Sequence, residues 1–368
     1  MSNTFLTPSV IAKEALANLY ANTVFARLVH RDYEPEFASK VGETVTIRKP
    51  AVFAAAEFST QISPQSITET STSVTLDKHL DVSAEVTSKQ LTLSIQDFSA
   101  QVIQPAMQAL AQKIDQLLAG RFVDIANFQD VSSTPALADI SALDMILNKA
   151  KVPAFDRRLV LGPVTKNAYI TVAGMVDASA AGSAEALRSA NMGRVFGFDT
   201  YMDQNISAFT KGTLGTAKVK TGVDAAATTG TFYNSSLTGT VKVGDLFTIA
   251  NDSTQYVVTK AASAGSNEVA VEFYPAAAVA WAGDAAVTVH ASSTENNLAF
   301  HKSAFALVSR PLALPMGSKN AAIANYEGFG IRVVYDYDIT YKKDIMSFDI
   351  LVGTKTLDPE RAVRLIKA

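Results

Sequence analysis

Asp336 and Asp338 stand two positions apart in "YDYD", a spacing that in glycosyltransferases holds a metal-bound nucleotide. On a strand, carboxylates at i and i+2 share a face, so a divalent cation could in principle sit between them. Nothing in the surrounding sequence completes that chemistry, because no βαβ unit with a glycine-rich phosphate loop precedes the pair. Two solvated or contacting carboxylates on an alternating strand is the simpler reading. "GRVFGFD" (193–199) places its two glycines outside the GxGxxG order and suits a turn before a strand better than a phosphate cradle. "LGPVTKN" (161–167) carries a lysine after a Gly-Pro turn but no Walker pattern. No nucleophile elbow anchors a Ser/His/Asp arrangement. The 4 histidines (His30, His79, His290 and His301) show no metal-ligand spacing, and the cysteine count of 0 excludes thiolate nucleophiles, disulfides and zinc-thiolate sites. The expectation is a chain with no catalytic residue, no cofactor and no metal.

What remains is charge. Arg27, Arg31, Asp32, Glu34 and Glu36 form a dense mixed-charge stretch, "RLVHRDYEPEF" (27–37), read as an extended arm. Such a run is usually a solvated face. On an arm that must find a neighbour it also suits salt bridges between subunits, weak singly and stronger as a network. These five residues, with Asp336 and Asp338, are the candidate intersubunit contacts. "RPLALP" (310–315) reads as a rigid connector between strands rather than as a proline-rich ligand.

A net charge of −3, from 32 basic and 35 acidic residues, leaves no basic stripe for sequence-specific nucleic-acid binding; weak contact with a polyanion stays open. No apolar run reaches the roughly 18 residues of a membrane span, and the opening residues lack the basic-then-apolar pattern of a signal peptide. With 368 residues, 48% of them hydrophobic, the chain can bury a full core in two or three domains.

The elements that would position these charges follow from periodicity. Thr7-Pro8 opens a short amphipathic helix over 8–20. "VGETVTIRKP" (41–50) reads as a turn and strand, 51–72 as a long polar hairpin loop, and Val74 to Val86 as the return strand. Phe98, Val102, Ala106, Leu110, Ile114, Leu117 and Leu118 mark the longest helix, with Asp97 as N-cap and Gly120 as C-cap; Pro105 should kink it or mark a late start. A second helix is expected over 137–151 and a buried strand over 157–163. From about 207 to 297 the composition turns Ala/Gly/Thr/Ser-rich, with five short strand-like runs that suggest a small barrel or sandwich. Ile331, Val333, Tyr335 and Tyr337, then Met346, Phe348, Ile350 and Val352, alternate as a hairpin closing the chain.

Six stretches carry a resemblance, in order: "EALANLYANTVFARLVHRDYEPEF", "GETVTIRKP", "TSKQLTLSIQDFSAQVIQPAMQALAQKID", "GRVFGFDTYMDQN", "NLAFHKSAFALVSRPL" and "RVVYDYDITYKKDIMSFDILVG". Together they resemble the major capsid (coat) proteins of tailed bacteriophages, which share the HK97-like fold, and in particular the group around phage P22. The resemblance implies an α+β capsid fold with an inserted small all-β domain. It implies an N-terminal arm over 1–36, an extended loop and peripheral strands over 37–96, and a spine helix over 97–129. The axial domain would fill 130–206 and 298–327, the inserted barrel-like domain 207–297, and the peripheral C-terminal hairpin 328–368.

The same resemblance implies self-assembly as hexamers and pentamers of an icosahedral shell around a double-stranded DNA genome. The virion would be the final location and the host bacterial cytoplasm the place of assembly. Expected partners are a portal and a separate scaffolding protein, since the first helix is expected by residue 8. A decoration protein is a further partner the resemblance allows, contact with packaged DNA would be non-specific, and no membrane is expected. The Lys–Asn cross-link with a third-chain acid, made by some relatives, has no recognisable trio here. Two other readings compete: an encapsulin-type cellular shell, and a β-rich carbohydrate-binding protein or enzyme built on 207–297.

Overall fold

The computed structural model describes residues 8–31, 44–49, 70–87, 102–131, 134–177, 185–290, 292–315, 320–326, 329–338, 340 and 343–367. Two compact units share the chain: Met1–Thr23, Arg31–Ala111 and Ala306–Leu357 form unit 1, and Val24–His30, Gln112–Phe305 and Asp358–Ala368 form unit 2.

In unit 1, helix α1 (Pro8–Asn22) buries Ile11, Ala12, Ala15, Leu16 and Leu19, the i, i+4 stripe of an amphipathic helix, against strands Ala321–Tyr326 and Phe329–Asp338. Those strands belong to a five-stranded sheet whose hub is the 14-residue strand Lys343–Thr356. The hub pairs antiparallel with Phe329–Asp338 and, over ten residues, with Lys78–Thr87. Ile331, Val333, Phe348, Ile350 and Val352 are fully buried, so the alternation predicted for the hairpin is the buried face of this sheet. Tyr337 departs from it: its side chain is 46% exposed. A two-stranded sheet of Thr44–Lys49 with Thr70–Thr75 completes the described strands of the unit, and the loop expected between them lies outside the described residues.

In unit 2 a six-stranded mixed sheet runs Phe128–Val131, Ala362–Lys367, Glu295–His301, Arg157–Leu161, Phe198–Met202 and Arg194–Val195. Helix α3 (Leu137–Lys149) packs Ile140, Leu143 and Leu147 into the core with Leu159, Leu161, Phe198 and Val363. Helix α4 (Pro163–Ile170) begins at the Gly-Pro pair and adds Tyr169 to the same core. Every residue of Glu295–His301 is buried, as expected for an inner strand covered on both faces. A closed six-stranded barrel occupies Ala217–Val289, with Phe232, Phe247, Tyr256, Phe273 and Trp281 stacked edge-to-face and in parallel at its centre.

Several expectations change. Helix α2 (Gln104–Ala119) starts late, with Pro105 in its first turn where a missing amide costs nothing; Asp97 lies outside the described residues. Gly120 does not cap α2 but continues it as the 3-10 turn Gly120–Asp124. The start of the expected arm is not extended: Phe25, Ala26, Leu28 and Val29 are buried in unit 2. Burial of four apolar side chains outweighs the charge of the neighbours that suggested a solvated arm. The segment expected as the final hairpin divides as well, because Asp358–Ala368 groups with unit 2, where Ala362–Lys367 is an inner strand.

Candidate functional site

Asp336 is exposed, pairs in register with Ile345, and its Oδ1 accepts the amide of Tyr337 at 2.9 Å. Asp338 is paired with Lys343 in the same ladder. The two acids thus stand at the far end of an antiparallel pair. Among the described residues no cluster of three or more His, Cys, Asp or Glu could hold a metal ion. Arg27 is exposed on the 3-10 turn Phe25–Arg27 in unit 2. Arg31 is half-buried in unit 1, its guanidinium 4.1 Å from the ring centroid of buried Phe329. Asp32, Glu34 and Glu36 lie outside the described residues. The described candidates are therefore distributed over two units and form no single site.

Three charged groupings went unread in the sequence. On the sheet of unit 1, Arg332 donates through Nε and Nη2 to Asp349 Oδ2 at 2.9 and 2.5 Å. His79 Nε2 lies 3.3 Å from Asp349 Oδ1, and Ser347 bridges Asp349 to Asp81. Burial alone would raise the Asp349 carboxyl, but the Arg332 pair and the neighbouring hydrogen bonds hold it below the ordinary carboxylate value.

In unit 2, the Glu295 carboxylate accepts the amides of Val164 (2.9 Å) and Thr165 (2.8 Å), while Asn297 Oδ1 accepts that of Gly162 (2.7 Å). A strand two elements away thus caps the N-terminus of α4, whose free amides and dipole favour an acid there. Gly162 is required for this approach, since a Cβ would lie 2.3 Å from Glu295 Cδ.

Arg364, also in unit 2, is fully buried. Its Nη1 donates to Gly244 O at 2.8 Å and its Nη2 to Asn296 Oδ1 at 2.9 Å, with the guanidinium 4.8 Å from the Phe122 ring. Burial pulls its pKa down to about 9, against the opposing charge of Asp245. One guanidinium thereby ties the barrel's Gly244 turn to two inner strands of the sheet. The lone arginine inside the apolar run "AVRLI" was the available signal.

These groups can hold elements together but present nothing that reacts. A groove of ≈ 620 Å³ on the barrel is lined chiefly by Thr, Ala and Gly, and its charged pair, Lys260 Nζ to Glu272 Oε1 at 2.7 Å, is exposed on both sides. No base stands beside a nucleophile in it.

Comparison with known proteins supplies what the side chains do not. The family model described as "P22 coat protein - gene protein 5" matches residues 257–366. The chain is a phage major capsid protein. That match runs from the second half of the barrel through the sheet hub to the strand Ala362–Lys367. Solved structures extend the likeness to the rest of the fold. A structure from Mycobacterium phage Che8 is 18% identical with a TM-score of 0.54, covering 93% of this chain and 90% of that one. The capsid structure of the Cyanophage P-SCSP1u is 14% identical with a TM-score of 0.51, covering 94% and 88%. No curated protein matches the chain by sequence. The capsid protein is thus a mixed helix-and-sheet structural protein rather than an enzyme, and neither the encapsulin nor the carbohydrate-active reading is favoured.

Proposed function

We propose that the capsid protein assembles with copies of itself, as hexamers and pentamers, into a closed icosahedral shell enclosing double-stranded DNA. The match of residues 257–366 to the P22 coat protein carries this reading, supported by the capsid fold shared over most of the chain. In this reading the barrel Ala217–Val289 is a domain inserted into the HK97-like body, helix α2 is the spine, and the sheet around Lys343–Thr356 is the peripheral domain. Arg27 and Asp336, both exposed, are the described charges best placed to meet a neighbour; Arg31, Asp32, Glu34, Glu36 and Asp338 complete the proposed contact set. A separate scaffolding protein, a portal, a decoration protein and non-specific DNA contact are the proposed partners, with assembly in the host cytoplasm.

Many weak interfaces suit such a shell, because each contact must break to correct a misplaced subunit while closure multiplies the contacts. The test is expression of the full chain with and without co-expressed scaffolding protein, followed by sizing chromatography and negative-stain microscopy. Closed particles hundreds of ångströms across are expected. A monodisperse monomer under both conditions and over a range of salt would overturn the reading.

A further inference from the structure

Two buried acids in unit 2 serve neither the core nor the charge groupings above. Asp115, on α2, is fully buried: its Oδ2 accepts the Val24 amide at 2.8 Å and its Oδ1 the Ala26 amide at 3.0 Å. The turn it grips, Phe25–Arg27, has few other holds. Phe25 stacks on Phe300 at 5.3 Å, and beyond the turn the His30 amide donates to Phe305 O. Asp203, just past the strand Phe198–Met202, is also buried. Its Oδ1 accepts the backbone and side-chain N–H groups of Asn205 at 2.8 and 2.9 Å, and its Oδ2 has no partner among the described residues. Asp203 is the side-chain charge acting on Asp115, and it has the same sign; the amides of Val24, Ala26 and Phe25 act against it. Arg27, the charged residue within the gripped turn, is exposed. Two carboxylates in a desolvated region cannot both ionise cheaply.

We propose that Asp115 and Asp203 form a proton-dependent clasp, closed on the turn Phe25–Arg27 when the pair holds a proton and loosened when both acids are ionised. Burial, opposed by the three amides and reinforced by Asp203, pushes the Asp115 carboxyl up to about 7. Burial likewise raises Asp203. With the turn released, Asp115 is solvated and reverts toward its ordinary value of 3.8. The clasped state therefore binds more protons than the released state between these limits. Its stabilisation is complete below 3.8 and is lost as pH rises through about 7. The presentation of Arg27 thus responds to pH near neutrality.

Hydrogen exchange on the full chain, corrected for the intrinsic pH dependence of exchange, reads this directly. Protection of the Val24 and Ala26 amides should fall roughly tenfold per pH unit from about 5 to about 7 and then level off. Asp203→Asn removes the like charge and should move the levelling-off to lower pH, while Asp115→Asn should flatten the profile. A flat wild-type profile overturns the clasp by itself, whatever the variants do. An Asp203→Asn profile that superimposes on the wild type overturns the role of Asp203 in it.

Discussion

The guanidinium of Arg31 lies 4.1 Å from the ring centroid of Phe329, joining a residue at the head of the charged stretch to the first residue of a strand almost three hundred positions later. Arg31 is half-buried and Phe329 fully buried, so this arginine takes part in the packing of unit 1. Arg31→Glu should therefore destabilise the subunit, by about 1–2 kcal/mol from the lost cation–π contact and the desolvated carboxylate that replaces it. Arg31→Lys should cost less. Urea midpoints of the three subunits check the order, and equal midpoints would contradict it.

Asp336 is the contrasting case. It is exposed and its partner is its neighbour's own amide, so Asp336→Lys should change subunit stability by no more than about 0.5 kcal/mol. Its effect should fall on assembly, as fewer closed shells at low salt and a smaller deficit at high salt, where screening weakens the misplaced charge. Denaturation curves beside particle counts separate the two; normal assembly at every salt concentration would place the contacts elsewhere.

Gly162→Ala is expected to be among the most damaging small changes, because the new methyl would displace the Glu295 carboxylate from the start of α4. Glu295→Gln keeps the shape but leaves one oxygen fewer for the two amides. It should cost about 1–3 kcal/mol, the range for an unsatisfied buried donor. Thermal unfolding should rank wild type above Glu295→Gln and Glu295→Gln above Gly162→Ala.

Arg364→Met should remove the guanidinium and strand Gly244 O and Asn296 Oδ1 without their donors, at roughly 3 kcal/mol or more. Arg364→Lys should rescue little, since a single ammonium cannot reach both acceptors in the arginine's planar geometry. Chemical denaturation of both variants tests the claim, and a lysine variant as stable as the parent would refute it.

The barrel has a closed strand order and its own aromatic centre, so residues 207–297 expressed alone should give a dispersed amide spectrum. Leu246 and Val257 pack with Phe128 and Ile366 in the whole chain, and Gln255 exchanges hydrogen bonds with the Phe128 backbone. The isolated barrel should therefore associate at high concentration, and Leu246→Lys should suppress that association. A collapsed amide spectrum would refute its independence.

Elements with one wet face were legible. Glu268–Tyr274 buries Val269, Val271 and Phe273 alternately, and Lys343–Thr356 does the same with Met346, Phe348 and Ile350. Thr229–Tyr233 and Ala217–Val219 went unread, because Thr-Gly-Thr and a three-residue strand carry too little apolar signal. Segments whose role depends on a distant partner were not legible either. Val24 and Ala26 look like the edge of a charged arm until Asp115, about ninety positions away, is seen to accept their amides. Glu295, Asn296 and Asn297 would be surface residues by type, yet all three are buried because α4, Arg364 and the Leu365 carbonyl use their polar atoms. The candidate contacts rest on charge alone, and charge in sequence does not separate Asp336, which is exposed, from Arg31, which packs on a ring.

The strand Ala362–Lys367 lies between Phe128–Val131 and Glu295–His301, and it follows every other strand of its sheet in sequence. During synthesis, Phe128–Val131 must wait for more than two hundred further residues before its only partner in that sheet leaves the ribosome. The sheet of unit 2 can then close only as one late, long-range event. A chain halted before residue 362 exposes two unpaired edges in place of a finished surface. For a particle built from many identical copies this is useful: incomplete products are set apart for degradation before they can enter and spoil a lattice of whole ones.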